Sequence, residues 1–187
     1  MNALRLVGIS GNTRRPSRTR ALVEQIGREV VREQPMRFEL HDLVDAGPGL
    51  GAFSRGALPG RAEAILQAIE GADALIVASP VYKGSYSGLF KHLFDFIEAG
   101  ALAGVPVVLA ATGGGRRHAL VVEHQLRPLF GFFSALSVPT SIYASDEDFE
   151  QGELSDPVTL GRIRQAASEL SGFVRPASRQ PVLTRVA

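Results

Sequence analysis

Val107-Val108-Leu109-Ala110-Ala111-Thr112-Gly113-Gly114-Gly115 runs from five apolar residues directly into a hydroxyl and three glycines. An uninterrupted apolar run of this kind, closed by glycines, reads as a strand buried on both faces, and such strands belong to parallel sheets. The same pattern occurs twice upstream. Leu6-Val7-Gly8-Ile9 opens into Ser10-Gly11-Asn12-Thr13, and Leu75-Ile76-Val77-Ala78 opens into Ser79-Pro80-Val81-Tyr82-Lys83-Gly84-Ser85. Three small-residue loops at consecutive strand ends build one pocket along the edge of a parallel sheet, where nucleotide-like ligands sit in open α/β folds.

Working outward, the pattern gives strands at 4–10, 38–41, 72–79, 105–111 and 138–144. Helical spacing places helices at 17–33, 62–70, from Leu89 to Ile97, at 118–135 and at 156–173, with Ser17 as an N-cap and Pro157 near the last helix start. Five strands alternating with five helices make an α/β, doubly wound parallel sheet. The flavodoxin-like order 2-1-3-4-5 fits that count and sets the pocket between strands one and three. A Rossmann dinucleotide fold is the rival, but its Gly-x-Gly-x-x-Gly turn is absent after strand one, which makes Asp42 a weak candidate for a ribose ligand. Residues 42–60, rich in Gly, Ala and Pro, read as a rim loop of the site. The domain is expected over 1–174, with 175–187 a poorly ordered tail lacking periodicity.

The 187 residues suit one domain with a substantial core, at 45% hydrophobic and 21% charged residues. A net charge of +1 gives no broad electrostatic case for nucleic acid or an anionic membrane. Cys 0 excludes thiol catalysis, disulfides and thiolate metal sites. No apolar run reaches membrane-spanning length, and the N-terminus leads into a strand rather than an export signal, so a cytoplasmic protein is expected. His41, His92, His118 and His124 lack metal-ligand spacing, and no nucleophile–base arrangement stands near the loops. Neither a metal site nor a catalytic side chain is expected.

The first loop combines hydroxyls (Ser10, Ser17, Thr19), arginines (Arg14, Arg18) and amides at a helix start, a set suited to a terminal phosphate. It lacks the Lys-Ser/Thr ending of a triphosphate loop. In the second loop Pro80, Val81 and Tyr82 offer a flat surface and backbone donors for a planar ring, and Lys83 is placed to meet a phosphate or solvent. Thr112-Gly113-Gly114-Gly115 lets backbone approach a ring closely, and Arg116 and Arg117 follow.

At these three loops the chain resembles the NAD(P)H-dependent FMN reductase family of flavodoxin-like fold. The resemblance is narrowest to the reductase component of two-component methanesulfonate or alkanesulfonate monooxygenase systems. It rests on Ser10–Thr19, on Ala78–Asp95 and on Ala110–Leu120 continuing through His124–Leu129, and it covers about residues 4–170. It implies that Ser10, Asn12, Arg14, Ser17, Arg18 and Thr19 hold the FMN phosphate, that Pro80, Val81, Tyr82, Lys83 and Ser85 meet the flavin ring, and that Thr112, Gly113, Gly114 and Gly115 meet ring and ribityl chain. It further implies homo-oligomers, dimers that pair into tetramers, with the helix around His124 at the interface. Some sulfonate-linked relatives carry an extra-residue helical bulge there, with tyrosine in place of His124, and the histidine agrees better with the methanesulfonate-linked branch.

The implied reaction is hydride transfer from NADH or NADPH directly to flavin N5, with reduced FMN passed to a separate monooxygenase. The cofactor carries such chemistry, and the protein positions rings and stabilises charge. The other readings on the same scaffold are a reductase that retains FMN and reduces quinones, azo compounds or metal oxyanions, a flavodoxin-like electron carrier, and a nucleotide-sensing regulator. A net charge of +1 gives a carrier's acidic docking face little support.

Overall fold

The computed structural model describes residues 3–174, so the expected tail lies outside the described residues. The sheet contains β1 (Arg5–Ser10), β2 (Arg37–Asp42), β3 (Ala74–Pro80) and β4 (Pro106–Gly113), with two short strands, β5 (Leu136–Ser137) and β6 (Ile142–Ser145), along the outer edge of β4. All pairs are parallel, in the order β2-β1-β3-β4-β5, with β6 also on β4. This is the flavodoxin-like order that the alternation of strands and helices suggested.

Along β1, β3 and β4 the buried side chains enter two cores alternately, with the two-residue period of the pleat. Val7, Ile9, Leu75, Val77, Val107 and Leu109 enter one core, while Leu6, Ile76, Ala78, Val108 and Ala110 enter the other. Helices α1 (Arg18–Glu33) and α6 (Pro157–Phe173) cover the second core. The first lies under α2 (Leu43–Ala46), α3 (Gly60–Glu70), α4 (Gly88–Asp95) and α5 (Arg127–Phe132). Gly8 lets α1 approach β1, since a Cβ there would lie 2.7 Å from the Val23 side chain.

Three elements differ from expectation. The strand expected over 138–144 is interrupted. Val138 N–H still reaches Val107 O at 3.0 Å, but Pro139 has no N–H to offer, and Thr140 N–H turns to Glu169 Oε2 at 2.8 Å.

The single helix expected over 118–135 is instead a 3-10 turn (Arg116–His118), a π-helical turn (Val122–Leu126) that includes His124, and α5. Pro128 lacks the N–H that would close an α-helical bond to His124. Just before it, Arg127 N–H bonds five residues back, to Val122 O.

Residues 42–60 form no open rim. They fold into α2 and two 3-10 turns (Pro48–Gly51 and Arg55–Ala57), burying Leu43, Ala46 and Leu50. Arg55 pins this segment, with Glu63 at 2.8 Å and Glu70 at 2.6 Å.

Beyond β6 stands an antiparallel hairpin, β7 (Phe149–Glu150) and β8 (Glu153–Leu154). Gln151 and Gly152 make its turn at φ 51° and 88°, as a two-residue mirror-type turn requires.

Candidate functional site

A cleft of about 890 Å³ opens at the carboxyl ends of β1, β3 and β4. Strand order reverses between β1 and β3 at this point, leaving a crevice that the connecting loops line. The volume lies within the range of about 300–1,000 Å³ usual for small-molecule and cofactor sites.

From the first loop the cleft takes Asn12, Arg14, Ser17, Arg18 and Thr19, and also Arg15 and Arg20. Ser10 is fully buried beneath them, its hydroxyl donating to Asn12 Oδ1 at 2.5 Å. Asn12 in turn donates to Arg14 O at 3.0 Å and Asp42 Oδ2 at 3.1 Å. Ser17 caps α1 by accepting from Arg20 N–H at 3.2 Å. Ser17→Ala is therefore expected to cost about 1 kcal/mol of stability. Thermal melting measures the loss.

The arginines divide by partner. Asp42, whose side chain has no solvent exposure, accepts two hydrogen bonds from Arg15 at 2.8 Å and one from Arg20 at 3.1 Å. Burial pushes the Asp42 carboxyl up, but the bonds from Arg15, Asn12 and the backbone outweigh this and hold it below the usual range. Asp42 also caps α2 through Val44 and Asp45 N–H. It is thus a structural clamp, in keeping with its weakness as a ribose ligand. Arg18 pairs with Asp146 at 2.8 Å. Arg14 forms no ion pair with the described residues.

Pro80, Val81 and Tyr82 also line the cleft, with Tyr82 47% exposed. Two expected backbone donors are already engaged: Val81 N–H to Thr112 O at 2.7 Å and Tyr82 N–H to Ser85 O at 2.9 Å. This loop therefore presents a surface rather than a donor edge. Lys83 and Ser85 do not line the cleft. Lys83 and Gly84 form a tight turn at φ 54° and 85°, and Ser85 Oγ donates to Gln125 Oε1 at 3.1 Å. Ser79 and Ser87 lock the base: Ser87 N–H donates to Ser79 Oγ, and Ser87 Oγ donates to Gly11 O.

Thr112, Gly113 and Gly114 join the two sides. The Thr112 and Thr19 hydroxyls meet at 2.6 Å and tie β4 to the start of α1. Gly113 is required by close approach, since a Cβ there would lie 2.4 Å from Tyr143 Oη. Gly115 is outside the cleft lining, and its carbonyl accepts from Tyr143 Oη at 2.6 Å. Burial, followed by the charges of Asp146 and Asp148, pushes the Tyr143 phenol up and keeps it a donor. Arg116 and Arg117 do not line the cleft.

Sequence reasoning missed the fourth side: Asp146, Gln151, Gly152 and Glu153. Its one local signal is the Gln151-Gly152 turn between Phe149-Glu150 and Glu153-Leu154.

The residues fit FMN. Arginines and hydroxyls cluster at the α1 N-terminus, the Pro80-Val81-Tyr82 surface lines the same cleft, and nothing beyond its chain neighbours lies within 4 Å of where a Gly114 Cβ would project. Among the described residues, no helix is long and apolar enough to cross a membrane.

The family model described as NADPH-dependent FMN reductase matches residues 4–150. The chain is 52% identical to an NADH-dependent FMN reductase, SfnF, of Pseudomonas fluorescens, over 88% of each chain. It is 48% identical to an FMN reductase (NADPH) of Pseudomonas aeruginosa, over 87% of this chain and 88% of that one. The solved apo form of an NADH:FMN oxidoreductase, EMOB, superposes with a TM-score of 0.83 at 28% identity, covering 95% of this chain and 92% of that one.

Proposed function

Because this chain belongs to the NADPH-dependent FMN reductase family, we propose that it reduces FMN with a nicotinamide hydride and releases the product to a separate monooxygenase that acts on sulfonates. The oxidoreductase class and the use of FMN with NAD(P)H follow from the family. The observation that carries the reading is the cleft at the β1/β3 switch, lined together by arginines and hydroxyls of the α1 start, a Pro-Val-Tyr surface and glycines. Sulfonate linkage is supported by the sequence resemblance to sulfonate-linked reductase components.

In this reading Arg14, Arg18, Ser17 and Thr19 hold the flavin phosphate. Asn12 and Asp42 fix the loop that presents them, and Ser10 fixes Asn12. Pro80, Val81 and Tyr82 pack against the ring, and the Thr112–Gly114 backbone approaches its polar edge. FMN supplies the hydride-accepting ring, so the chain's own task is orientation and stabilisation of developing negative charge. Ser85 holds its loop from outside the cleft through Gln125, and Gly115 accepts from Tyr143 next to the glycine loop.

A homo-oligomer, dimer or tetramer, is part of the same proposal. It is supported by the exposed Leu120, Phe132 and Leu136 around the π-turn and α5, at 64%, 69% and 46% accessibility.

The test is oxidation of NADH and NADPH by flavin-stripped protein at varied FMN, FAD and riboflavin. Saturable, FMN-stimulated turnover with weak flavin retention is expected. The named relatives differ in their donor, NADH in one and NADPH in the other, so both are assayed. Turnover only with an added quinone or azo acceptor would replace this reading with a flavin-retaining reductase, and binding without turnover would replace it with a carrier or sensor.

A further inference from the structure

Arg18 and Asp146 face each other across the cleft, Nη1 to Oδ1 at 2.8 Å, with side chains 50% and 53% exposed. Both line the same cavity. Arg18 is the first residue of α1, where an incoming phosphate would also find the helix amides. Asp146 is held from behind. It opens a 3-10 turn (Asp146–Asp148) whose buried Asp148 accepts from Ser145 N–H at 2.6 Å and Ser145 Oγ at 3.1 Å. The backbone at Asp146 is therefore fixed beside the cleft and carries its carboxylate on a short side chain, whereas the long Arg18 side chain can re-aim. In the same placement the Arg18 guanidinium carbon lies 6.0 Å from the Phe149 ring centroid.

We propose that Asp146 competes with the flavin phosphate for Arg18 and so sets how readily FMN exchanges. The proposal rests on the FMN-reductase reading above. A phosphate dianion at Arg18 must displace or repel the carboxylate already paired with it, and the remaining cations of the cleft are accounted for. Arg15 and Arg20 are committed to Asp42, which leaves Arg14 and Arg18 to meet the phosphate. Glu24 and Glu153 also line the cleft but form no ion pair with Arg18. Asp146 thus holds FMN affinity below what the loop would otherwise reach, as suits a flavin that leaves after each turnover.

The test measures flavin Kd by fluorescence and dissociation rate by stopped flow for wild type, Asp146→Asn and Asp146→Ala. Exposed ion pairs are worth about 0.2–1 kcal/mol, so each variant is expected to bind FMN up to about fivefold more tightly and release it more slowly. The gain should shrink at high salt. Riboflavin, which lacks the phosphate, is expected to bind unchanged. In an Arg18→Gln background the Asp146 substitutions should lose most of their effect. Unchanged or weaker FMN binding, equal tightening of both flavins, or a full effect without Arg18 would each overturn the proposal. Wild-type protein that binds neither flavin would instead remove the FMN-reductase reading itself, and the competition with it.

Discussion

Replacing Asp42 with alanine is expected to lower stability by about 3 kcal/mol, the low end for breaking a buried ion pair, because Arg15 is 42% exposed and regains water. For a chain of this size that is a fall in Tm of about 6–12 °C. Two guanidiniums and the Asn12 amide lose a shared acceptor, and α2 loses its cap. The first loop is then no longer held, so KM for FMN should rise while kcat at saturating FMN is largely kept. Freed Arg15 does not compensate, since its position depends on the carboxylate that is gone. Asp42→Asn, which retains an acceptor, should lose less. An unaltered melting curve would sink this account of Asp42.

The sign of the accompanying pH dependence is determined. The folded-state carboxyl titrates lower than in the unfolded chain. The contribution of Asp42 is therefore complete above the unfolded value, about 3.9, and is lost as pH falls through the lower folded value. Wild type should show this acid-limb loss, and Asp42→Asn should lack that portion of it.

Phe94→Ala is expected to have the other large effect, about 4 kcal/mol and a Tm lower by about 8–16 °C. Phe94 is 1% exposed, and its ring centroid lies 4.9 Å from that of Phe90 and 5.0 Å from that of Phe130. It joins α4 to α5, and α4 is capped by Ser87, whose hydroxyl reaches Gly11 O. A cavity at Phe94 should therefore loosen both the α5 region and the junction between the first two loops. Phe94→Leu, which keeps most of the volume, should recover most of the stability. A Phe94→Ala protein that melts like wild type would show that the aromatic cluster relaxes to fill the space.

These residues show what could be read from the chain and what could not. Strands such as Leu75–Ala78 are apolar on both faces, and the glycine-closed Val107–Gly115 run marks its own end, so the sheet and the three main loops were legible. Helix α1 was legible because Leu22, Val23, Ile26 and Val30 repeat on one face. The π-turn was not, since Pro128 signals a disturbance without saying where the chain takes it up. Pro139 is similar: it breaks a strand only because that strand lies on β4, which is a long-range fact. The division of labour among the arginines was invisible for the same reason. Arg15 and Arg18 look alike in sequence, and the acids that separate them, Asp42 and Asp146, stand 27 and 128 residues away. That Pro80-Val81-Tyr82 would line the cleft was visible, but the prior engagement of its amides by Thr112 and Ser85 was not.

Two tight turns, Lys83-Gly84 just outside the cleft and Gln151-Gly152 on its lining, have a consequence for redesign. The floor of the cleft is parallel sheet, in which every pairing joins distant parts of the chain, so a length change there propagates through the register. Each flanking turn instead closes on its own neighbours, Tyr82 with Ser85 on one side and Glu150 with Glu153 on the other. The jaws are therefore modular where the floor is not. Insertions grafted at either tip should alter which flavins or second substrates enter while leaving the sheet register intact, and libraries for altered substrate range belong at these two positions.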